Sequence, residues 1–153
     1  MYFYKKNMQH ISITQAFNAP QKEIFDYLSD HNNLSSILGA QIKRIKDADG
    51  ANPNGLGSVR SIGMGIELLQ ETVTVFEAPN LIEYQISSNA PINYHLGRLE
   101  FSSPAAGKTV LNYTIDIESK LGLLDPVVKF LLETTIKNGL KKLAAKYKWC
   151  QQY

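Results

Sequence analysis

Three histidines and one cysteine are the first places to look for metal or proton-transfer chemistry in this chain of 153 residues. His10, His31 and His95 stand far apart in sequence, and no pair of them falls at helical spacing. Cys150 has no partner cysteine, so neither a zinc site nor a structural disulfide is predicted. Gly55-Leu-Gly57 and Gly63-Met-Gly65 resemble fragments of a phosphate loop. Strand-like sequence follows each of them, where a phosphate loop needs a helix N-terminus. The Gly-x-Ser-x-Gly elbow of a serine nucleophile is absent. The sequence therefore predicts no metal and no cofactor.

A subtler chemistry lies in polar side chains that share a strand face with apolar ones. In Tyr94–Ser102, His95 has the parity of Leu99 and Phe101, which places it on the inner face and Arg98 towards solvent. His95 is the best acid–base candidate, because an unperturbed imidazole titrates near pH 6.5. The simpler reading makes it a hydrogen-bonding residue at a cavity mouth. Tyr84 lies between Ile82 and Ile86, and Tyr113 between Leu111 and Ile115, so both phenols point inward and need partners. Joining the two strands around Gly63-Met-Gly65 makes paired residue numbers sum to about 129 and sets Arg60 diagonal to Glu71. Such a pair could orient a polar ligand head, but the simplest reading is an ion pair at the sheet rim, worth less than about 1 kcal/mol.

The elements that must position these groups are legible from their periodicity. Met8–Phe17 alternates as a half-buried strand with Ile11, Ile13 and Phe17 on one parity. Asn18-Ala-Pro20 ends it, and Ile24, Phe25 and Leu28 predict a helix over Pro20–Asp30. A second short helix through Leu34, Ile37 and Leu38 stops at Gly39. Gln41–Lys46, Leu56–Ile62, Glu67–Glu77, Leu81–Ser88, Tyr94–Ser102 and Thr109–Ser119 read as strands, and their short connectors favour antiparallel neighbours. Asp125 and Pro126 open a long helix that runs to about Lys148. Leu132, Ile136, Leu140, Leu143 and Tyr147 lie on one stripe of it, with Lys137, Lys141 and Lys148 opposite. The class is α+β: a seven-stranded antiparallel sheet with two short helices after the first strand and a long helix laid on it.

Composition limits the setting. A hydrophobic share of 44% and a charged share of 20% exclude disorder across the whole chain. No apolar run is long enough for a membrane-spanning helix. Met1–Met8 lacks the basic-then-apolar order of a signal peptide. With its single cysteine this predicts a cytoplasmic protein, one domain over residues 1–153, monomeric or dimeric. Residues 120–153 hold 7 lysines against Asp125 and Glu133. Lysine alone, spread along one helix, fits a solvated face better than a nucleic-acid surface, and leaves peripheral membrane contact open.

The order of elements resembles the helix-grip fold of the START/Bet v 1-like (SRPBCC) superfamily, and within it the bacterial polyketide cyclase/dehydrase and lipid-transport group. Ala19-Pro20 leading into Ile24-Phe25-Asp26-Tyr27-Leu28-Ser29-Asp30, then Gly57-Ser-Val-Arg60 and Glu71-Thr-Val-Thr74, carry that resemblance. So do Tyr94-His-Leu-Gly-Arg-Leu-Glu-Phe101 and Gly107-Lys-Thr-Val-Leu-Asn-Tyr113, where the group often has tryptophan in place of Tyr113. The resemblance implies a sheet wrapped around the C-terminal helix and a cavity between them. Its members include ligand carriers and cyclases, so it does not by itself choose a function.

The leading expectation is a non-catalytic site for a small hydrophobic or amphipathic ligand of lipid, aromatic polyketide or quinone type. Tyr84, His95, Leu99, Phe101, Tyr113, Ile115, Leu132, Ile136 and Leu140 would line it, with Arg60 and Glu71 near the polar head. The cavity should fall in the usual pocket range of roughly 300–1,000 Å³. The alternatives are a cyclase or dehydratase using His95 in the same cavity, and an interaction module that works through the lysine-bearing helix face.

Overall fold

A computed structural model gives the structure of residues 8–120, 122 and 125–147. The N-terminal stretch read against a signal peptide lies outside these residues apart from Met8, as do Lys148 and Cys150. The strands are β1 (Gln9–Phe17), β2 (Gln41–Lys46), β3 (Val59–Gly63), β4 (Glu67–Glu77), β5 (Leu81–Ile86), β6 (Ile92–Ser102) and β7 (Thr109–Ser119). Helices α1 (Gln21–Ser29) and α2 (Ser35–Leu38) follow β1, with the 3-10 turn His31–Asn33 between them, and α3 (Asp125–Lys146) is the last of the described elements. The strands form one antiparallel sheet in the order β1-β7-β6-β5-β4-β3-β2. This is the helix-grip arrangement.

The alternation in the sequence explains which face is covered. Ile11, Ile13 and Phe17 of β1, Leu99 and Phe101 of β6, and Leu111, Tyr113 and Ile115 of β7 are all buried. They meet Ile24, Phe25 and Leu28 of α1 and Ile136, Leu140 and Leu143 of α3 in one core. Phe25 sits between Phe76 and Phe101 with edge-on rings, centroids 5.3 and 5.1 Å away. α3 lies along β1 and α2. Gly139 lets it approach α2, since a Cβ there would lie 2.7 Å from the Ile37 backbone.

Two expectations are corrected here. Around Met64-Gly65-Ile66 the turn is longer than assumed and a bulge follows Ile62, so Arg60 pairs directly with Glu71 instead of lying diagonal to it. The register moves by an even number of residues, so every side chain keeps its face. The outer side of α3 is also not uniformly polar. Lys137 and Lys141 are exposed as expected, but Val127, Val128, Phe130 and Leu131 in its first turns are exposed as well. Among the described residues, no helix is long and apolar enough to cross a membrane.

Candidate functional site

The strand pairs that carry the polar residues bring five of them together on the inner face of the sheet. Arg60 of β3 faces Glu71 of β4, with Nε 2.7 Å and Nη2 2.6 Å from Glu71 Oε2. Arg60 is 5% exposed and Glu71 6%. The rim reading is therefore overturned: both charges are out of water, where a pair must be well matched to offset its desolvation. The other carboxylate oxygen, Oε1, lies 3.8 Å from His95 Nε2. The Arg60 guanidinium also stacks over the Tyr84 ring, 4.4 Å from its centroid. Tyr84 and Tyr113 join their hydroxyls in a hydrogen bond, so each inward phenol finds its partner in the other.

Burial and neighbours set the protonation states. Burial opposes the charge on Arg60, but Glu71 and the two tyrosines outweigh it and hold its pKa above the ordinary value. Burial pushes Tyr84 well up and Tyr113 up to about 12, so both phenols stay protonated near neutrality. Burial lowers the pKa of His95, and the Glu71 carboxylate only partly opposes this. His95 is thus neutral at pH 7. Its Nδ1 accepts from the Ile86 backbone N–H at 3.1 Å, which leaves Nε2 to carry the proton towards Glu71.

The space between sheet and helices is a slot of about 20 Å³, room for about one water. Among the described residues, this slot falls well below the expected range of roughly 300–1,000 Å³. Of the residues named for the ligand site, Arg60, Tyr84, Leu99, Tyr113 and Leu140 line the slot, whereas His95, Phe101, Ile115, Leu132 and Ile136 do not, and Glu71 sits behind Arg60. The reason is packing. Phe101 is taken up by Phe25, Ile115 and Ile136 are buried in the core, and Leu132 is half-buried against it. His95 opens instead onto a separate surface recess beside Tyr94 and Ser88.

The sequence reading missed the other wall. Leu28, Ser29, His31, Leu34, Ile37 and Leu38, from α1 to α2, close the slot together with Asn54. His31 is 1% exposed, and its Nδ1 has no hydrogen-bond partner among the described residues. Burial first, then the positive charges of Arg60 and Arg44, lower its pKa to about 3. The available signal was Asp30-His31-Asn32-Asn33, a polar cluster between two apolar runs. Asp30 caps the turn by accepting from the Asn32 N–H at 2.9 Å, and that folds His31 inward. His10 is remote, exposed on β1 beside Asp116 at 2.5 Å.

Two depressed histidine pKa values make a pH prediction. The folded state holds both imidazoles neutral, while the unfolded chain protonates them below about pH 6.5. The unfolded state thus binds more protons in acid, and stability falls as pH drops through 6.5 towards the folded-state values. Urea midpoints should decline from pH 7 to pH 5, with each histidine contributing at most about 1.4 kcal/mol per pH unit. A flat profile over that range would mean that neither imidazole is held out of water.

This geometry can be set beside known proteins. The sequence pattern of the family described as polyketide cyclase / dehydrase and lipid transport matches residues 8–148. The chain belongs to that family. None of the curated proteins matches it in sequence. Among solved structures, a START superfamily protein from Mycobacterium smegmatis is similar at 16% identity and TM-score 0.72, over 93% of this chain and 99% of that one. The protein XoxI from Bacillus cereus is similar at 14% identity and TM-score 0.69, over 94% and 99% of the two chains. A point mutant of norcoclaurine synthase from Thalictrum flavum, in complex with a transition-state analogue, is similar at 13% identity and TM-score 0.67, over 92% and 96%. This polyketide cyclase/dehydrase and lipid-transport member is thus an SRPBCC protein, and family and fold support a ligand-binding helix-grip domain.

Proposed function

We propose that the protein binds a small amphipathic molecule, of lipid, aromatic polyketide or quinone type, between the sheet and α3 without transforming it. The observation that carries this reading is the polar cluster of Arg60, Glu71, His95, Tyr84 and Tyr113, buried beside a slot whose remaining walls are largely apolar. An apolar core gains nothing from so many polar groups unless they specify something, since each must be desolvated and satisfied. The slot as it stands admits no such molecule, so binding requires side chains of α2 and α3 such as Ile37 and Leu140 to give way. Affinity then comes mainly from apolar burial, less the cost of that rearrangement.

A catalytic use of the same site, of cyclase or dehydratase type, needs a free proton-transfer group. His95 is neutral, but its Nδ1 is committed to a backbone N–H and its Nε2 faces Glu71. This favours a positioning role. A surface reading has its own support: Val127, Val128, Phe130 and Leu131 lead into Lys137, Lys141 and Lys142 on the outer side of α3, a combination suited to an anionic membrane or a protein partner.

The test is mass spectrometry of the purified protein after mild extraction, followed by titration and turnover with whatever co-purifies, on the native protein and on His95→Ala. The expected result is a bound amphipathic molecule whose affinity falls less than about tenfold in the variant, the scale of one hydrogen bond. A loss of roughly 10²–10⁴ in rate with binding intact would instead identify an enzyme. Protein that carries nothing but sediments with anionic vesicles would favour the surface reading.

A further inference from the structure

Among the described residues, His31 is the one buried side chain of the slot wall that leaves a nitrogen without a hydrogen-bond partner. Its Nδ1 has no partner among the described residues, although the residue is fully enclosed. An unsatisfied buried polar atom is costly, and native interiors hold few of them. The neighbouring groups are mostly donors or already taken. Asn54 Oδ1 accepts from both the His31 backbone N–H at 3.2 Å and Arg44 Nη1 at 2.8 Å, so its amide offers only its NH₂ to the slot. Arg60 is a donor by chemistry. Tyr84 and Tyr113 are engaged with each other.

We infer that His31 is the hydrogen-bonding anchor for the ligand's polar end, and that this end is a neutral hydroxyl of phenol or enol type, donating to His31 Nδ1 and accepting from the donors beside it. The inference rests on the ligand-binding reading above and deepens it. The chemistry of the wall selects among head groups. In the tautomer with the proton on Nε2, His31 Nδ1 is an acceptor beside the donors of Arg60 and Asn54, and a hydroxyl, which both gives and takes a hydrogen bond, matches that set. A ketone or ester can only accept, a carboxylate likewise, and an ammonium would be repelled by Arg60 and Arg44. The low pKa of His31 agrees, because a neutral imidazole keeps a lone pair for a donor over the whole physiological range. The remaining lining of Leu28, Leu34, Ile37 and Leu140 suits an apolar or aromatic body behind that hydroxyl.

The experiment uses phenol, toluene and benzoate as probes, small enough to ask least of the closed slot. It reads the imidazole ¹⁵N resonances of His31 together with probe affinity. Phenol is expected to move the His31 Nδ1 resonance and to bind roughly tenfold tighter than toluene, the value of one good hydrogen bond, with benzoate weaker than phenol. In His31→Phe the preference for phenol over toluene should vanish. The urea midpoint should stay level or rise, because an apolar ring of similar shape removes the unsatisfied nitrogen. His31→Gln, which keeps an acceptor, should retain part of the preference, and it serves as the second variant if His31→Phe does not fold. Phenol binding that leaves His31 unmoved, or a preference that survives in His31→Phe, overturns the anchor while leaving the ligand-binding reading in place. Benzoate binding tighter than phenol overturns the hydroxyl assignment. Failure of all three probes to bind, toluene included, counts against the ligand-binding reading itself, and the anchor falls with it.

Discussion

Arg60→Leu is expected to destabilise the fold by about 3–5 kcal/mol, the cost of leaving one partner of a buried ion pair alone. The Glu71 carboxylate would lose contacts of 2.6 and 2.7 Å at Oε2 and keep only His95, 3.8 Å away and neutral. Tyr84 would lose the cation over its ring at the same time. The decisive comparison is the double variant Arg60→Leu with Glu71→Leu. Replacing both charges by apolar groups of moderate size removes the stranded carboxylate, and such replacements are often neutral or stabilising. Urea denaturation should therefore show a large drop for the single variant and recovery of most of it in the double one. A single-variant cost below about 1 kcal/mol would mean that the pair behaves as a surface pair, and the burial argument would fail. The double variant also asks a functional question. If it folds normally yet no longer carries a ligand, the pair is kept for specificity at some expense of stability.

That the pair is buried could not be read from its residues, although its face could. The strand parity of Arg60 and Glu71 follows from Ile62, Leu69 and Val73, and parity survives any even shift of register. Depth in the sheet depends on what covers it. The segment from α1 to α2, Leu140 of α3 and Asn54 of the β2–β3 connection supply that cover, and no periodicity in β3 or β4 reports it. Strand ends show the same division. β2, β4 and β7 end where their turn formers and charges predict. β3 starts late because Gly57, at φ +84°, and Ser58 belong to the preceding turn, where the Ser58 N–H donates to Gly55 O at 3.1 Å. β5 stops at Ile86, short of the expected Ser88, and its ladder with β6 ends at Tyr84 and Gly97. There the His95 ring takes the Ile86 N–H, so a side chain has replaced the next backbone bond.

The free volume was the least legible quantity. The inward parity of the polar tips can be read from the sequence, but their meeting in one buried cluster cannot, since the simplest reading leaves Arg60 and Glu71 at the rim. Whether such a cluster surrounds a hollow depends on side chains from α1, α2, α3 and the sheet filling one space, and small differences in each decide the sum. His31 escaped notice for a related reason. A three-residue turn has no period to read, so its burial became visible only once Asp30 and α1 were in place. The outer side of α3 misled in the opposite direction, because the exposed Lys137, Lys141 and Lys142 occupy the later turns while its first turns carry the exposed Val127, Phe130 and Leu131.

Gly97→Ala should cost about 3 kcal/mol, at the upper end for an added methyl group in a packed interior, and the cost should depend on Tyr84. Gly97 pairs directly with Tyr84 across β5 and β6. A Cβ on Gly97 would lie 2.0 Å from Tyr84 Cζ and 2.4 and 2.5 Å from its Cε atoms. The glycine is needed for space rather than for backbone conformation, since its φ is not among the positive ones. A tyrosine ring is rigid, and this one is 3% exposed, so it has nowhere to bend. It must leave its position, giving up the Tyr113 hydroxyl and the Arg60 guanidinium together. In a Tyr84→Leu background the added methyl meets open space, and Gly→Ala within a strand then favours folding by roughly 0.5–1 kcal/mol. The sign of one substitution should thus reverse between the two backgrounds. A double-mutant cycle by urea denaturation measures this. Additivity of the two changes to within about 0.5 kcal/mol would show that the ring does not rest on Gly97, and the placement of Tyr84 beside the slot would have to be redrawn.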